Sequence, residues 1–166
     1  MFTIRWQLII PSIVLPILFA LTACGGDDDQ NIGPLQLPRY EHTATLLQDG
    51  KVLLAGGLDM NGVGIGNGEL YNPSTDSWSL TSRMSAARGK YDTTLLSDGR
   101  VLAVAGKSSE LGNIGSTEVY DPTSNQWNWL AADALTRNAH QVTLLPNGLV
   151  MISGGFDLSV GSISAA

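Results

Sequence analysis

The stretch DGKVLLAGG at residues 49–57 places a turn, a short apolar segment and two glycines in succession. Near-copies follow as DGRVLAVAG from Asp98 and as NGLVMISGG from Asn147. The copies stand 49 residues apart, and they align without any gap. A period near 50 residues is typical of repeat proteins, in which similar units stack on one another.

The repeat extends well beyond these three copies. Residues that recur at the same step are Arg39, Arg88 and Arg137; Thr45, Thr94 and Thr143; Gly50, Gly99 and Gly148; and Gly57, Gly106 and Gly155. The block ELYNPSTDSW at 69–78 also returns as EVYDPTSNQW at 118–127. We therefore divide this part of the chain into unit one at 39–87, unit two at 88–136 and half of a third unit at 137–155.

Residues 156–166 lack the Glu-x-Tyr block, the proline turn and the tryptophan of the earlier units. For this reason we expect them to form an unstructured or truncated tail.

Each complete unit predicts four short strands. The segments HTATLL and KVLLA flank Asp49–Gly50, and a two-residue Asp-Gly link favours a type I′ hairpin turn with positive φ at both positions. The apolar segments are nearly continuous, so we expect the second strands to be covered on both faces. A glycine-rich loop follows, then a third strand around the Glu-x-Tyr block and a fourth that begins at Trp78 or Trp127.

These residues resemble the kelch repeat. The resemblance rests on Gly56, Gly57, Gly106, Gly154 and Gly155 after the second strands, on Tyr71 and Tyr120, on Trp78 and Trp127 seven residues later, and on the arginine that opens each unit. It implies an all-β fold of four-stranded β-propeller blades around a channel. Ala105 and Asp133 depart from the pattern, because unit one has Gly56 and Met84 at the equivalent positions.

About two and a half blades are encoded, whereas closed propellers have four to eight. The sequence therefore predicts an incomplete propeller. Either the chain is a piece of a longer reading frame, or several chains form an oligomer that completes a ring.

The first 23 residues have the layout of a secretory signal. Arg5 is the one charged residue before an uncharged stretch from Trp6 to Ala23, and a membrane-spanning helix is the alternative. LTAC at 21–24 resembles the bacterial lipobox, which implies that Cys24 is lipidated and anchors the protein to the cell envelope, preferentially the outer membrane. Residues 24–38 then predict a flexible tether rich in Gly, Pro and Asp.

Composition excludes several other functions. From Cys24 onward the chain has 8 basic and 15 acidic side chains without a basic cluster, so we expect no binding to nucleic acid. The single cysteine excludes an internal disulfide framework. His42 and His140 share one repeat position with Tyr91, which favours packing over metal binding. We therefore predict no metal, no cofactor and no catalytic residues.

The three repeated arginines offer the one candidate ligand site. Arg39, Arg88 and Arg137 are expected on the face that carries the loops at 58–68 and 107–117, where guanidinium groups could bind a carboxylate or an acidic sugar. Alternatively, each arginine braces its own blade against Glu69, Glu118 or loop carbonyls.

Three functions follow from these patterns. The first is an envelope-anchored scaffold that binds a protein or a glycan. The second is a fragment of an epimerase-like, sugar-processing enzyme, and the third is a non-functional truncated product. Trp78, Trp127, Tyr71 and Tyr120 are expected in the core, whereas Trp129 is a candidate surface contact.

Overall fold

A computed structural model describes residues 34–132, 136–157 and 161–162. These residues form an all-β structure, and none of them belongs to a helix that could cross a membrane. The predicted signal segment and Cys24 lie outside the described residues.

Each of the first two units forms one four-stranded antiparallel sheet, as predicted. The strands of unit one are β1 (Thr43–Leu46), β2 (Val52–Ala55), β3 (Asn67–Asn72) and β4 (Ser77–Arg83), and those of unit two are β5 (Asp92–Leu95), β6 (Val101–Val104), β7 (Lys107–Ser108), β8 (Gly112–Asn113), β9 (Ser116–Asp121) and β10 (Gln126–Ala132). The sheet orders are β1-β2-β3-β4 and β5-β6-β9-β10, while β7 and β8 form a separate ribbon.

The third unit continues the repeat further than expected. Its strands are β11 (Gln141–Leu144), β12 (Val150–Ser153), β13 (Phe156–Asp157) and β14 (Gly161–Ser162). The β13–β14 ribbon lies 49 residues after β7–β8, and Asn138 and Phe156 exchange backbone hydrogen bonds as Gly89 and Lys107 do. Residues 156–157 and 161–162 form strands rather than the unstructured or truncated tail expected there: Phe156 pairs with Asn138 of the linker, and β14 pairs with β13.

The core lies between the sheets. Every residue of β2 and of β6 is buried, which confirms that these strands are covered on both faces. Leu53 and Ala55 of unit one share a hydrophobic cluster with Tyr91, Val101 and Ala103 of unit two, so the two sheets pack face to face. At about 25 cal/mol for each Å² of buried apolar surface, such contacts supply most of the stability of stacked repeats.

Within each complete unit the tyrosine of the third strand packs on the tryptophan of the fourth. The ring centroids of Tyr71 and Trp78 are 5.0 Å apart, and those of Tyr120 and Trp127 are 5.2 Å apart. Both ring pairs are tilted, an arrangement that aromatic quadrupoles favour. Trp127 is buried within the cluster that joins units one and two, whereas Trp78 is half-buried.

The hairpin turns differ from the predicted type I′. Leu47 N donates to Lys51 O, and Gly50 N donates to Leu47 O, so three residues rather than two separate the closing pair. Gly50 has a φ of +83°, whereas Asp49 keeps a negative φ and accepts a bond from Lys51 N through Oδ1. This is a type I turn followed by a left-handed glycine. Gly99 and Gly148 repeat it, with φ of +87° and +84°.

Candidate binding site at the loop face

The linkers that precede the first strands lie beside the loops that follow the second strands. Tyr40 exchanges backbone hydrogen bonds with Leu58, and Gly89 does so with Lys107. We call this end of the molecule the loop face; it comprises the linkers 38–41, 87–90 and 136–139 and the loops 57–66, 106–115 and 154–157. The opposite end carries the hairpin turns at 48–50, 97–99 and 146–148.

Arg39 is buried beneath the loop face. Its Nη2 donates to Glu69 Oε1 at 2.8 Å, and neither side chain is exposed to solvent. Its Nη1 donates to the carbonyl oxygens of Gly56 and Asn67, and its Nε donates to that of Leu37. One guanidinium group therefore joins the linker, the end of β2 and the start of β3.

Arg88 makes the same contacts one unit later. Its Nη2 donates to Glu118 Oε1 at 2.5 Å, and its other donors reach the carbonyl oxygens of Ala86, Ala105 and Ser116. Burial lowers the pKa of Arg88, and the negative charge of Glu118 opposes that shift.

The two glutamates also hold the chain that enters each unit. Glu69 accepts hydrogen bonds from Gln36 N and Leu37 N. Glu118 accepts the equivalent bonds from Ser85 N and Ala86 N. We refer to Arg39–Glu69 and Arg88–Glu118, together with these backbone bonds, as the Arg–Glu braces.

Arg137 occupies the equivalent position in the third unit and is also buried. Its Nη1 donates to Gly154 O at 3.3 Å. Residues 135 and 165, which would correspond to the other carbonyl partners, lie outside the described part of the chain.

These contacts are those of the bracing alternative. A ligand anion would reach Arg39 or Arg88 only by displacing a buried glutamate and several carbonyl groups. The repeated arginines therefore do not support an anion site in this structure, and the sugar-processing alternative loses the feature that favoured it.

A cleft of about 350 Å³ opens between units one and two at the loop face. Its polar lining residues include Tyr40, Glu41, Lys90, Lys107 and Ser109. Small-ligand sites in proteins usually have volumes of roughly 300–1,000 Å³, so the cleft is large enough for a compact ligand. Gly64 N donates to Ser109 Oγ at 3.2 Å, which ties the loops of the two units together along the cleft.

Two of the three charged groups that line the cleft come from equivalent positions of units one and two. Glu41 and Lys90 are 49 residues apart, and Lys90 Nζ lies 3.4 Å from Glu41 Oε1. Both have a positive φ, of +55° and +51°, which side chains other than glycine rarely adopt. Ala139, at the equivalent position of the third unit, has a φ of +54°, so this conformation belongs to the repeated linker.

The cleft residues do not recur at the 49-residue step, in contrast to the braces. Tyr40 corresponds to Gly89 and Asn138, and Leu58 corresponds to Lys107 and Phe156. Because all three units form the same linker and loop pairing, the blade fold does not require these particular side chains. Non-periodic positions within a periodic frame are the signal in the sequence that points to this cleft, and our sequence analysis did not use it.

Exposed apolar side chains accompany the cleft. Those at the loop face are Tyr40, Met60, Val63, Leu111 and Phe156. Met60 is 92% exposed, and Leu111 is 68% exposed. Large apolar side chains that remain in solvent near a pocket mark candidate contact surfaces. Trp129, the surface contact predicted from the sequence, is 61% exposed on β10, away from the loop face.

The glycine-rich loop is held in place by an aspartate. Asp59 Oδ1 accepts hydrogen bonds from Asn61 N and Val63 N, and Gly62 N donates to Asp59 O. This turn carries Met60 and Val63 at the loop face.

The shared position of His42, Tyr91 and His140 lies within packed structure. Tyr91 and His140 are buried, and His42 is half-buried. Thr43 Oγ1 donates to Tyr91 Oη at 3.2 Å, and burial raises the pKa of Tyr91. Among the described residues no group of three or more His, Cys, Asp or Glu side chains is arranged to hold a metal ion.

Residues 38–85 match the family model described as the Kelch motif. This segment is similar to a kelch repeat. The match spans unit one, including Arg39, Glu69 and Trp78. Unit two repeats the same sheet and the same Arg–Glu brace, so it has the structure of a second kelch blade. The chain matches no curated protein.

Proposed function

We propose that this kelch-repeat chain is a binding scaffold whose loop face receives a protein or a glycan. The observation that carries the proposal is the cleft between units one and two, since its lining residues vary while the surrounding braces repeat. Exposed Met60, Val63 and Leu111 at the same end support a contact surface there.

We further propose that a lipid on Cys24 anchors this scaffold to a bacterial cell envelope. The uncharged stretch from Trp6 to Ala23, which ends within the motif LTAC at 21–24, supports this. The Asp-rich segment at 27–29 favours a solvated tether between the anchor and unit one. Three acyl chains would give firm attachment, because each buried methylene contributes about 0.8 kcal/mol.

Binding at the loop face is tested with the full chain, purified in detergent, against a panel of envelope polysaccharides and peptides by biolayer interferometry. Lys107→Ala and Tyr40→Ala are expected to weaken binding of any ligand found. Lys51→Ala is the matched control, because Lys51 is also an exposed lysine but lies at the opposite end. An equal loss of ligand affinity in the Lys51→Ala variant would contradict a binding site at the loop face.

The anchor is tested separately with Cys24→Ser. The wild-type chain is expected in the detergent-rich phase of a Triton X-114 partition, with the mass of a lipidated protein that begins at Cys24. The variant should keep its signal segment and lack the lipid mass. An unmodified wild-type chain would refute the anchor without affecting the proposed binding face.

A further inference from the structure

The cleft between units one and two combines groups that suit a particular class of ligand. We propose that it binds a sugar that carries one carboxylate, such as a hexuronate. This inference rests on the proposed binding function and assigns the ligand class of that site.

The charge of the cleft is opposite to that of the molecule. Lys90, Lys107 and Glu41 line it, which gives one positive charge in excess. The chain as a whole has a formal charge of −6. A locally positive cleft on an acidic protein favours an anion over a neutral ligand of the same shape.

Lys107 supplies a cation that is not already paired. Lys90 Nζ contacts Glu41 at 3.4 Å, whereas Lys107 forms no ion pair with any carboxylate in the described part of the chain. Lys107 is also exposed, so the ligand carboxylate reaches it without displacing another group.

The remaining polar groups suit hydroxyls. Glu41 presents a carboxylate, which accepts hydrogen bonds, and its side chain is 29% exposed. Ser109 Oγ accepts a bond from Gly64 N, so its own hydroxyl proton remains to be donated. Tyr40 is 46% exposed and offers an aromatic face together with a hydroxyl group. A sugar ring presents both apolar C–H faces and hydroxyls, and it matches this set.

An extended peptide fits the cleft less well. Peptides that add a strand to a sheet need free backbone donors and acceptors. Along the cleft, the backbone N–H and C=O groups of Tyr40 and Leu58 are already hydrogen-bonded to each other, and so are those of Gly89 and Lys107. Side chains are therefore the main polar groups left for a ligand, which favours a compact polar molecule.

The neighbouring junction provides an internal comparison. At the equivalent positions between units two and three stand Gly89, Lys90, Ala139 and Phe156. That junction has no counterpart of the Tyr40 ring, of the Glu41 carboxylate or of the Lys107 ammonium group. Binding of the sugar acid is therefore expected at the first junction alone within the described residues.

The experiment titrates the full chain in detergent with D-galacturonate, D-galactose and acetate, followed by ligand-observed NMR and calorimetry. Galacturonate and galactose share a ring and differ at the carboxylate. We expect galacturonate to bind at least tenfold more tightly than either comparison compound, and we expect the affinity to fall as salt is added.

Two lysine variants test whether the sugar acid binds in the cleft. Lys107→Met keeps the length of the side chain and removes its charge, so galacturonate affinity should fall at least tenfold. Lys51→Met should leave the affinity unchanged. Unfolding curves for both variants, compared with wild type, separate a loss of the site from a loss of the fold.

Equal binding of galactose and galacturonate, or full binding by the Lys107→Met chain, would overturn the inference. If no sugar acid binds but a protein ligand does so at the loop face, the inference fails and the proposed function stands. If neither ligand class binds at the loop face, both fail.

Discussion

Arg88 and Glu118 show how a charged pair is kept away from water. The guanidinium group donates to a carboxylate, to three carbonyl oxygens and to Ser116 Oγ, and the carboxylate accepts two further backbone bonds. Buried charges persist in proteins when they are both paired and hydrogen-bonded in this way. Removing one partner leaves the other buried without compensation, which costs far more than the pair contributes.

Glu118→Gln should therefore destabilise the chain strongly. The amide keeps the shape but removes the charge that balances Arg88, so the free energy of unfolding should fall by about 3–5 kcal/mol, the range for breaking a buried pair. Urea unfolding followed by tryptophan fluorescence measures this change.

Glu110→Gln is the matched control, because Glu110 lies exposed in the loop between β7 and β8. Glu110→Gln should change the free energy of unfolding by no more than about 0.5 kcal/mol. Replacing both partners of the brace, as Arg88→Met with Glu118→Leu, should lower the free energy of unfolding at least as much as Glu118→Gln, because three carbonyl oxygens and two backbone N–H groups then lose their partners. A change below 1 kcal/mol for Glu118→Gln would show that the brace is dispensable.

His42 should make stability depend on pH. Burial and the nearby charge of Arg39 lower the pKa of His42 in the folded chain, so the unfolded chain binds its proton more readily. The stabilising contribution of the neutral imidazole is complete above about pH 6.5, the unfolded value, and it decreases as the pH falls towards the folded pKa. Thermal unfolding of wild type and His42→Gln between pH 5.5 and 7.5 measures this effect.

The variant should show the shallower decline between pH 6.5 and pH 5.5. Carboxylates titrate mainly below this window, and the groups that the two proteins share cancel in the comparison. Parallel curves would mean that His42 keeps its ordinary pKa.

At the residue scale the sequence predicted the braces but not the cleft. Arg39 and Glu69 recur 49 residues later, and their side-chain chemistry makes pairing an obvious alternative. Tyr40, Glu41 and Lys107 are not periodic, so a search for repeated residues passes over them. Their proximity depends on how one unit packs against the next, which the sequence of a single unit does not contain.

The glycines at the end of each second strand contact the linker of the next unit. Gly57 N donates to Arg88 O, and Gly106 N donates to Arg137 O, so the end of each second strand is fixed to the next linker. A Cβ atom added at Gly56 would lie 2.6 Å from Arg88 O and 2.7 Å from Tyr91 Oη. Unit two has Ala105 at this position with a φ of +50°, and the smaller His140 replaces Tyr91 in the next unit.

Opposite effects are therefore expected from two glycine–alanine exchanges. Gly56→Ala should lower the free energy of unfolding by about 1–3 kcal/mol, because the methyl group overlaps with Arg88 and Tyr91. Ala105→Gly should leave stability unchanged or raise it by up to about 1 kcal/mol, because glycine adopts positive φ without strain. Chemical denaturation of the two single variants tests both signs.

Adding Tyr91→His to Gly56→Ala reproduces the pair formed by Ala105 and His140 at the next junction. The double variant should recover part of the free energy of unfolding lost in Gly56→Ala. A Gly56→Ala chain as stable as wild type would contradict the close approach between the sheets.

The turns show what sequence leaves open at the element scale. Asp-Gly fits the type I′ turn, and it also fits the last two residues of a three-residue loop. The same dipeptide is therefore compatible with two turn types. The pairing of Leu46 with Val52 selects the three-residue loop. This register depends on which side chains of β1 and β2 reach the core. The strands themselves were predictable, since continuous apolar segments are buried on both faces wherever they occur.

At the scale of the whole molecule, stability should vary from unit to unit. β6 is hydrogen-bonded on both edges, to β5 and β9, and lies between neighbouring units. β12 pairs with β11 alone within the described residues, and Met151 on it is 37% exposed. Contacts in repeat proteins are mainly between neighbours, so a unit that packs on two neighbours opens less often.

Amide hydrogen exchange should reveal this gradient. In the 166-residue chain we expect the amides of β2 and β6 to exchange slowest and those of β12 to exchange faster by at least tenfold. Mass spectrometry of peptic peptides after timed labelling measures it, with a fully deuterated sample as the reference. Equal protection of β6 and β12 would mean that the third unit is stabilised by contacts beyond those described.

The contrast between fixed braces and variable cleft residues has an evolutionary consequence. A 49-residue unit brings its own brace and its own half of each junction, so duplication or exchange of one unit creates new combinations of lining residues on an unchanged framework. Under the binding function proposed above, substitutions at a few positions, such as 40, 41, 90 and 107, would change the ligand while the braces stay intact. On that proposal, tandem genetic recombination would be a direct route to new binding properties.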